Sequence, residues 1–409
     1  MEKEVILSHS GKQHSYYVAK ALLDLGFLKT FYTSSYITSP GLQRLMNKMG
    51  WHFWTRRFLQ GLGGRKVAAN WKYELKELFY RKVIGNSNKI NELVFDRDER
   101  FDKDLSKKLP SLNFDIFWGF QGSCRQSIEA ANNKGKISVC EMTIAHLPFA
   151  RRILQEEAGF YPEWADSIDF MSFPANYEKR LIEEPLMAQK VIAISSFLKE
   201  TLVQDGVEAG KITVVPLGFD ADSISFSEKS ESIVNRPLRL LYAGKITQRK
   251  GIRYLLEAMS QFDKRDVELH VIGNIYGSGK AFQSYKSTCN YRSGISQQEL
   301  FKLYGQYDAL VFPSILEGFG LVTVEAMGAG LPVITTPNTN ATEVIKNNSN
   351  GFLIPIRSSE AIVQAITKLR NMDDASFQQM RLNARQTALQ YTWDVHRNKL
   401  KHFISGLNN

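Results

Sequence analysis

Ser314–Thr336 reads SILEGFGLVTVEAMGAGLPVITT, and the order of residue types in it points to the fold. The apolar run Ala309–Phe312 (ALVF) just before it has the length and composition of a buried strand. Glu317-Gly318-Phe319-Gly320 makes a flexible turn, and a helix is expected from Leu321. Glycines at such a turn leave successive backbone N–H groups open, and the helix N-terminus adds partial positive charge, so the pair favours phosphate. Glu325 falls about one turn into the helix, between Val324 and Ala326, where a carboxylate needs polar partners. The hydroxyls of a ribose would provide them. Glu317 stands at the mouth of the turn, close to where the atom attached to phosphate would lie. A second interpretation is a tight strand-to-helix turn in which Glu325 only complements the helix dipole.

Tyr242–Gly251 (YAGKITQRKG) repeats the pattern upstream, since it follows the strand-like Leu238–Tyr242 and carries Lys245, Arg249 and Lys250. Cations at a strand end can neutralise a diphosphate as it leaves, unless they are solvated surface lysines. Farther out, short apolar strands are expected at Glu268–Ile272 and Val333–Thr335, with Tyr254–Met259 in a helix. In the first half the expected strands are Glu4–Ser10, Phe114–Trp118, Ile137–Cys140, Val191–Ile194 and Thr213–Pro216, and a helix runs through Tyr16–Leu23. Strands alternating with helices predict an α/β fold with mainly parallel sheets. The polar run between Pro216 and Pro237 is the linker between two halves. At 409 residues the chain suits two domains, and ligands of such sheets bind in the crevice at strand carboxyl ends.

Two glutamates separated by seven residues in EGFGLVTVE, the small-residue run AMGAGLPVI after them and AGK…RKG before them resemble the GT-B retaining glycosyltransferases of family 4. The resemblance is specific across Pro216–Gly351 and fainter in the first half. It implies two Rossmann-like domains facing across a cleft: residues 1–215 for the acceptor, with a basic aromatic insertion near 41–95, and residues 216–390 for the donor. Residues 391–409 would form a closing helix. By the same resemblance Glu325 binds the nucleotide ribose, Gly318, Phe319, Gly320 and Leu321 lie along the diphosphate and sugar, Glu317 touches sugar hydroxyls and Lys250 binds phosphate. Lys245 stands where the family usually has arginine, which keeps the charge and loses the bidentate fork. The stretch CEMTIAHLPFARRILQEE makes His146 the expected contact near the anomeric centre. Gly11 is expected to let the donor approach the backbone, with His14 a weaker candidate beside it. The loop at Gly294 would hold the base, and Glu343 is expected to be structural or a helix cap.

The implied activity is retaining, metal-independent transfer from a UDP- or GDP-sugar to a glycan or lipid-linked acceptor in surface polysaccharide or glycolipid assembly, with no cofactor required. A sugar-nucleotide epimerase or hydrolase, or a non-catalytic membrane-associated subunit that binds sugar nucleotides, would share these features. Asp-x-Asp pairs at Asp96/Asp98 and Asp102/Asp104 are expected to be solvated surface, and Asp220/Asp222 to belong to a turn. Cys124, Cys140 and Cys289 have neither disulfide nor metal spacing and are expected to be core thiols.

The formal net charge is +10, and between Gly41 and Lys82 ten cations face only Glu74 and Glu77. Trp51, Phe53, Trp54, Phe58, Trp71, Phe79 and Tyr80 lie among them, a mixture suited to an anionic membrane surface. A helical insertion with inward-packed aromatics is the alternative. No nucleic-acid reader motif accompanies the charge. No apolar stretch is long enough for a membrane span and the first residues lack a signal-peptide core, so a cytoplasmic protein, peripheral on the inner face of the membrane, is expected.

Overall fold

The computed structural model describes residues 3–48, 57–83, 87–169, 173–226 and 232–407. Thirteen short strands form two separate sheets among these residues. The first runs β1 (Val5–His9), β2 (Leu28–Thr33), β3 (Val67–Ala69), β4 (Ile116–Phe120), β5 (Ile137–Met142), β6 (Lys190–Ala193) and β7 (Ile212–Val214), in spatial order β3-β2-β1-β4-β5-β6-β7. The second contains β8 (Leu238–Ala243), β9 (Val267–Ile272), β10 (Asn290–Arg292), β11 (Ala309–Phe312), β12 (Val333–Thr335) and β13 (Gly351–Leu353), in order β10-β9-β8-β11-β12-β13. Every pairing is parallel.

The central strands read as unbroken apolar runs because helices cover both faces of each sheet. β4 and β11, for example, are buried along their whole length. Both sheets reverse their strand order beside the first strand, between β1 and β4 and between β8 and β11. Crevices at such switch points are where doubly wound sheets take ligands. The two carboxyl edges face one another, and one hydrophobic cluster runs through both halves, from Ile6 and Phe117 to Leu241, Phe312 and Val324.

Side chains also tie the halves together. Buried Glu157, on the helix Leu147–Phe160, accepts hydrogen bonds from Gln248 Nε2 (2.6 Å), Tyr254 Oη (3.0 Å) and Arg357 Nε (2.8 Å). Ser195 Oγ donates to Gly318 O (2.7 Å), and Glu343 accepts from Ser196 N at the start of the helix Ser196–Gln204. The last helix, Trp393–Gly406, crosses back to the first half: Leu400, Phe403 and Ile404 join its core, and His396 donates from Nδ1 to Pro216 O (2.7 Å). The start of that helix passes close over Gly218, where a Cβ would lie 2.5 Å from Trp393 N.

One expectation needs correction. Asp98 and Asp102 are buried rather than solvated: Asp98 accepts from Ser10 Oγ and pairs with Arg97, while Asp102 accepts from Gln126 N and Ser127 N and pairs with Arg180. They lie four residues apart on one face of the helix Ser87–Ser106, and that face packs inward. On the other face Asp96 is exposed and Asp104 is half-buried, accepting from Tyr73 Oη (2.6 Å). In the basic aromatic insertion, Trp51, Phe53, Trp54 and Arg56 lie outside the described residues. Leu45, Leu75 and Phe79 are exposed there, and Arg57 is paired with buried Glu74 (2.9 Å). No helix among the described residues is long and apolar enough to cross a membrane.

Candidate functional site

A cleft of about 790 Å³ lies between the two carboxyl edges and draws its walls from both halves. On the C-terminal wall, β11 ends at Phe312 and the turn leads to the helix Leu321–Gly328. Gly320 caps that helix in a left-handed conformation (φ 76°), which glycine adopts without strain. The turn itself sits tightly against the first half, because a Cβ on Gly318 would lie 2.1 Å from Thr143 O. Glu317, Phe319, Gly320 and Leu321 line the cleft, whereas Gly318 faces the interdomain contact behind it.

Glu317 closes a buried charge network. Its Oε2 lies 2.6 Å from Lys250 Nζ and 3.3 Å from Arg249 Nη1, and Arg249 is held in turn by Asp169 Oδ1 (2.5 Å) and Leu316 O (2.7 Å). Burial alone would raise the Glu317 carboxyl, but the charges of Lys250 and Arg249 outweigh it and hold the group at about 2. Burial draws the Lys250 ammonium below its ordinary range, against the pull of Glu317. An ammonium has three N–H donors. One goes to Glu317, and among the described residues the other two make no hydrogen bond. Nζ stands 4.7 Å over the Phe312 ring at the cleft surface.

Glu325 is buried and also lines the cleft. Its Oε1 accepts from Gln297 Nε2 (2.6 Å) and its Oε2 from Tyr304 Oη (3.3 Å). Burial raises this carboxyl despite those two bonds. A carboxylate can accept about four hydrogen bonds, so two positions remain for a ligand. Opposite, Tyr17 stacks on Trp393 with ring centroids 4.0 Å apart, and its phenol is raised by burial and then by Asp220 and Glu325.

The remaining expected residues divide. Lys245 is exposed and absent from the cleft walls, with its Nζ 3.7 Å from Asp169 and 5.4 Å from the Tyr276 ring centroid. Gly11 lies behind the cleft, facing His9 and Arg97. His146 is the clearest correction. Only 1% exposed, it uses Nδ1 on Asp205 (2.9 Å) and Nε2 on Ile182 O (3.1 Å), and it starts the helix Leu147–Phe160 without reaching the cleft. The chain turns at Thr143–Ile144, so those residues face the cleft and the histidine two positions later points into the first half. His14 instead lines the cleft, with Nε2 2.5 Å from Glu141 Oε1. Gln297, Tyr17, Trp393, Thr143 and Glu141 escaped the sequence reading. Trp393, in the closing helix, was visible as an aromatic in the tail, but only the crossing of that helix brings it to the cleft. Near Gly294, Asn274 Oδ1 accepts the backbone N–H at 3.0 Å.

Two doubly wound parallel sheets facing across a cleft, with a glycine-capped helix and a lysine on one wall, define the GT-B architecture. Solved structures share it over nearly the whole chain. Anabaena HepE in complex with UDP superposes with a TM-score of 0.65 at 16% identity, covering 99% of this chain and 100% of that one. Residues 223–387 match the family model described as glycosyl transferases group 1. An uncharacterized glycosyltransferase of Methanocaldococcus jannaschii is 27% identical over 61% of this chain and 67% of its own length. A capsular polysaccharide biosynthesis glycosyltransferase of Staphylococcus aureus, CapM, is 28% identical over 45% of this chain and 53% of its own. The matched parts thus span between half and two thirds of those two relatives. Together the matches support a glycosyltransferase of the GT-B fold.

Proposed function

We propose that the chain is a retaining, metal-independent glycosyltransferase that moves a sugar from a nucleoside-diphosphate donor to a hydroxyl of a glycan or lipid-linked acceptor. The observation that carries this is the grouping on one cleft wall of the Gly320 helix start, Lys250 with two open donors, and the buried carboxylate of Glu325. Ribose hydroxyls satisfy Glu325, the two phosphates lie between the helix start and Lys250, and the sugar reaches toward Glu317. UDP in the HepE structure and the capsular polysaccharide role in the name of CapM agree with such a donor and acceptor.

In this mechanism the bond from the anomeric carbon to the diphosphate oxygen breaks and its electron pair leaves with the nucleoside diphosphate. Lys250 and the helix N-terminus stabilise that developing charge without reorganising. The acceptor hydroxyl oxygen bonds to the anomeric carbon on the same face, and the leaving phosphate takes its proton. Because Lys250 is already neutralised by Glu317, it enters the resting cleft without an unpaired buried charge, a state that would be costly.

The exposed Leu45, Leu75 and Phe79, with Arg65, Lys66 and Lys72 nearby in sequence, suit a membrane-proximal acceptor and a peripheral location. Thermal unfolding with UDP, GDP, ADP and their sugars tests the donor assignment, since a ligand of the native state raises its stability. A rise with one nucleotide series and release of that nucleoside diphosphate in the presence of acceptor are expected. No stabilisation by any of them would remove the basis for the proposal. Co-sedimentation with phosphatidylglycerol vesicles, weakened by neutralising Arg65, Lys66 and Lys72, tests the location. Binding indifferent to lipid charge would contradict it.

A further inference from the structure

The N-terminal wall contains a histidine that the steps above do not use. His14 precedes the helix Ser15–Asp24 in the loop after β1, yet its side chain makes no capping bond to that helix. Its Nε2 lies 2.5 Å from Oε1 of Glu141, a buried residue on β5. The other oxygen of Glu141 accepts from Trp118 Nε1 (2.9 Å) on β4, and the His14 ring meets the Phe120 ring edge-on at 5.3 Å. The imidazole is therefore fixed from two neighbouring strands. Its Nδ1 makes no hydrogen bond among the described residues, and His14 forms part of the cleft wall.

Position along the cleft follows from the same strand. Two residues beyond Glu141, which holds the His14 ring, Thr143 O lies under Gly318, next to Glu317 in the turn, and His14 and Glu317 line the same cleft. On the donor placement proposed above, His14 thus stands toward the glycosyl end. A fixed ring edge there can meet a phosphate oxygen, which only accepts, or a hydroxyl, which both donates and accepts. The hydroxyl satisfies Nδ1 whether or not that nitrogen carries a proton.

Resting on that donor reading, we infer that His14 is a sugar-recognising residue of the N-terminal half, its Nδ1 taking a hydroxyl of the donor's glycosyl group. Glu141 is its positioning residue. Isothermal titration with UDP, UDP-glucose, UDP-galactose, UDP-N-acetylglucosamine, GDP and GDP-mannose tests this, reading the Kd of each sugar nucleotide relative to its bare nucleoside diphosphate. One hydrogen bond predicts that His14→Ala worsens this ratio about 3–10-fold while leaving the bare nucleotide unchanged, which also reports an intact fold. Glu141→Gln, which loosens the ring, should move the ratio in the same direction by less. Equal weakening of nucleotide and sugar nucleotide would assign His14 to phosphate or to folding, and an unchanged ratio would remove it from the sugar site; either overturns the inference. A wild-type chain that binds none of these six ligands, nor ADP or ADP-glucose, overturns the donor reading, and this inference with it.

Discussion

The two walls of the cleft are made the same way and equipped differently. Each uses the loop after the first strand of a doubly wound sheet, at the point where strand order reverses. On the C-terminal wall the loop after β8 supplies Lys250, the turn after β11 supplies a left-handed glycine at a helix start, and a buried network of alternating charge runs from Asp169 through Arg249 and Glu317 to Lys250. On the N-terminal wall the loop after β1 brings Lys12 and His14 to the cleft, with no positive-φ glycine and one carboxylate behind the imidazole ring. The first wall holds its cation in a buried charge network, and the second sets an imidazole backed by a carboxylate beside the half-buried Lys12. One topology thus provides two kinds of recognition, because the sheet fixes where the loops lie and the loop residues fix what they bind.

The largest effect expected from breaking this contrast is on the charged wall. Lys250→Ala should lower kcat by about 10²–10³, the scale for losing one electrostatic donor, measured as nucleoside diphosphate released with acceptor present. A comparable loss from Lys245→Ala would contradict the division, since that exposed side chain should cost less than about threefold, within the small range of exposed ion pairs.

Next comes Glu325→Gln. It keeps the shape but replaces an acceptor-only group, and it should weaken nucleotide binding about tenfold or more in calorimetry, the scale of hydrogen bonds to a charged group. Full affinity in this variant would place the ribose elsewhere.

His146 sharpens the comparison from the other side. Removing a buried ring with both nitrogens bonded should cost about 1–3 kcal/mol of stability in denaturant unfolding. Nucleotide affinity of the folded variant should stay as in the parent. A specific loss of affinity with unchanged stability would return His146 to the cleft.

The smallest effect is on acid stability. Glu317, held at about 2 against an ordinary 4.5, contributes stability that is fully present above its unfolded value and is lost as pH falls from about 4.5 toward 2. Glu317→Gln should flatten that part of the pH–stability curve. An identical acid limb in parent and variant would mean that the pair is not held together in solution.

The fold class was legible because buried parallel strands leave dense apolar runs that need no partner to be recognised. Ala309–Phe312 and Val333–Thr335 read directly as strands, and the expected Phe114–Trp118 lies two residues from the observed Ile116–Phe120. Two of the edge strands were not legible. Val67–Ala69 and Asn290–Arg292 are three residues long and only partly covered, too short for an apolar pattern to stand out from the chain around them. At the site, glycines and cations adjacent in sequence announced the C-terminal wall. Glu141, Trp118 and His14 come from three separate segments and meet only through the pairing of β4 with β5 and the loop after β1. His146 misled because a histidine after a strand looks the same in sequence whether the chain turns it toward the cleft or two residues past it.

The most direct test is a titration of UDP, GDP and ADP into the wild-type chain and into Lys250→Ala. The charged wall predicts that one of them binds the wild type with one-to-one stoichiometry, and that the variant loses about tenfold or more of that affinity. Binding of equal strength to both proteins, or to neither, would contradict a diphosphate cradle at the start of the helix after Gly320.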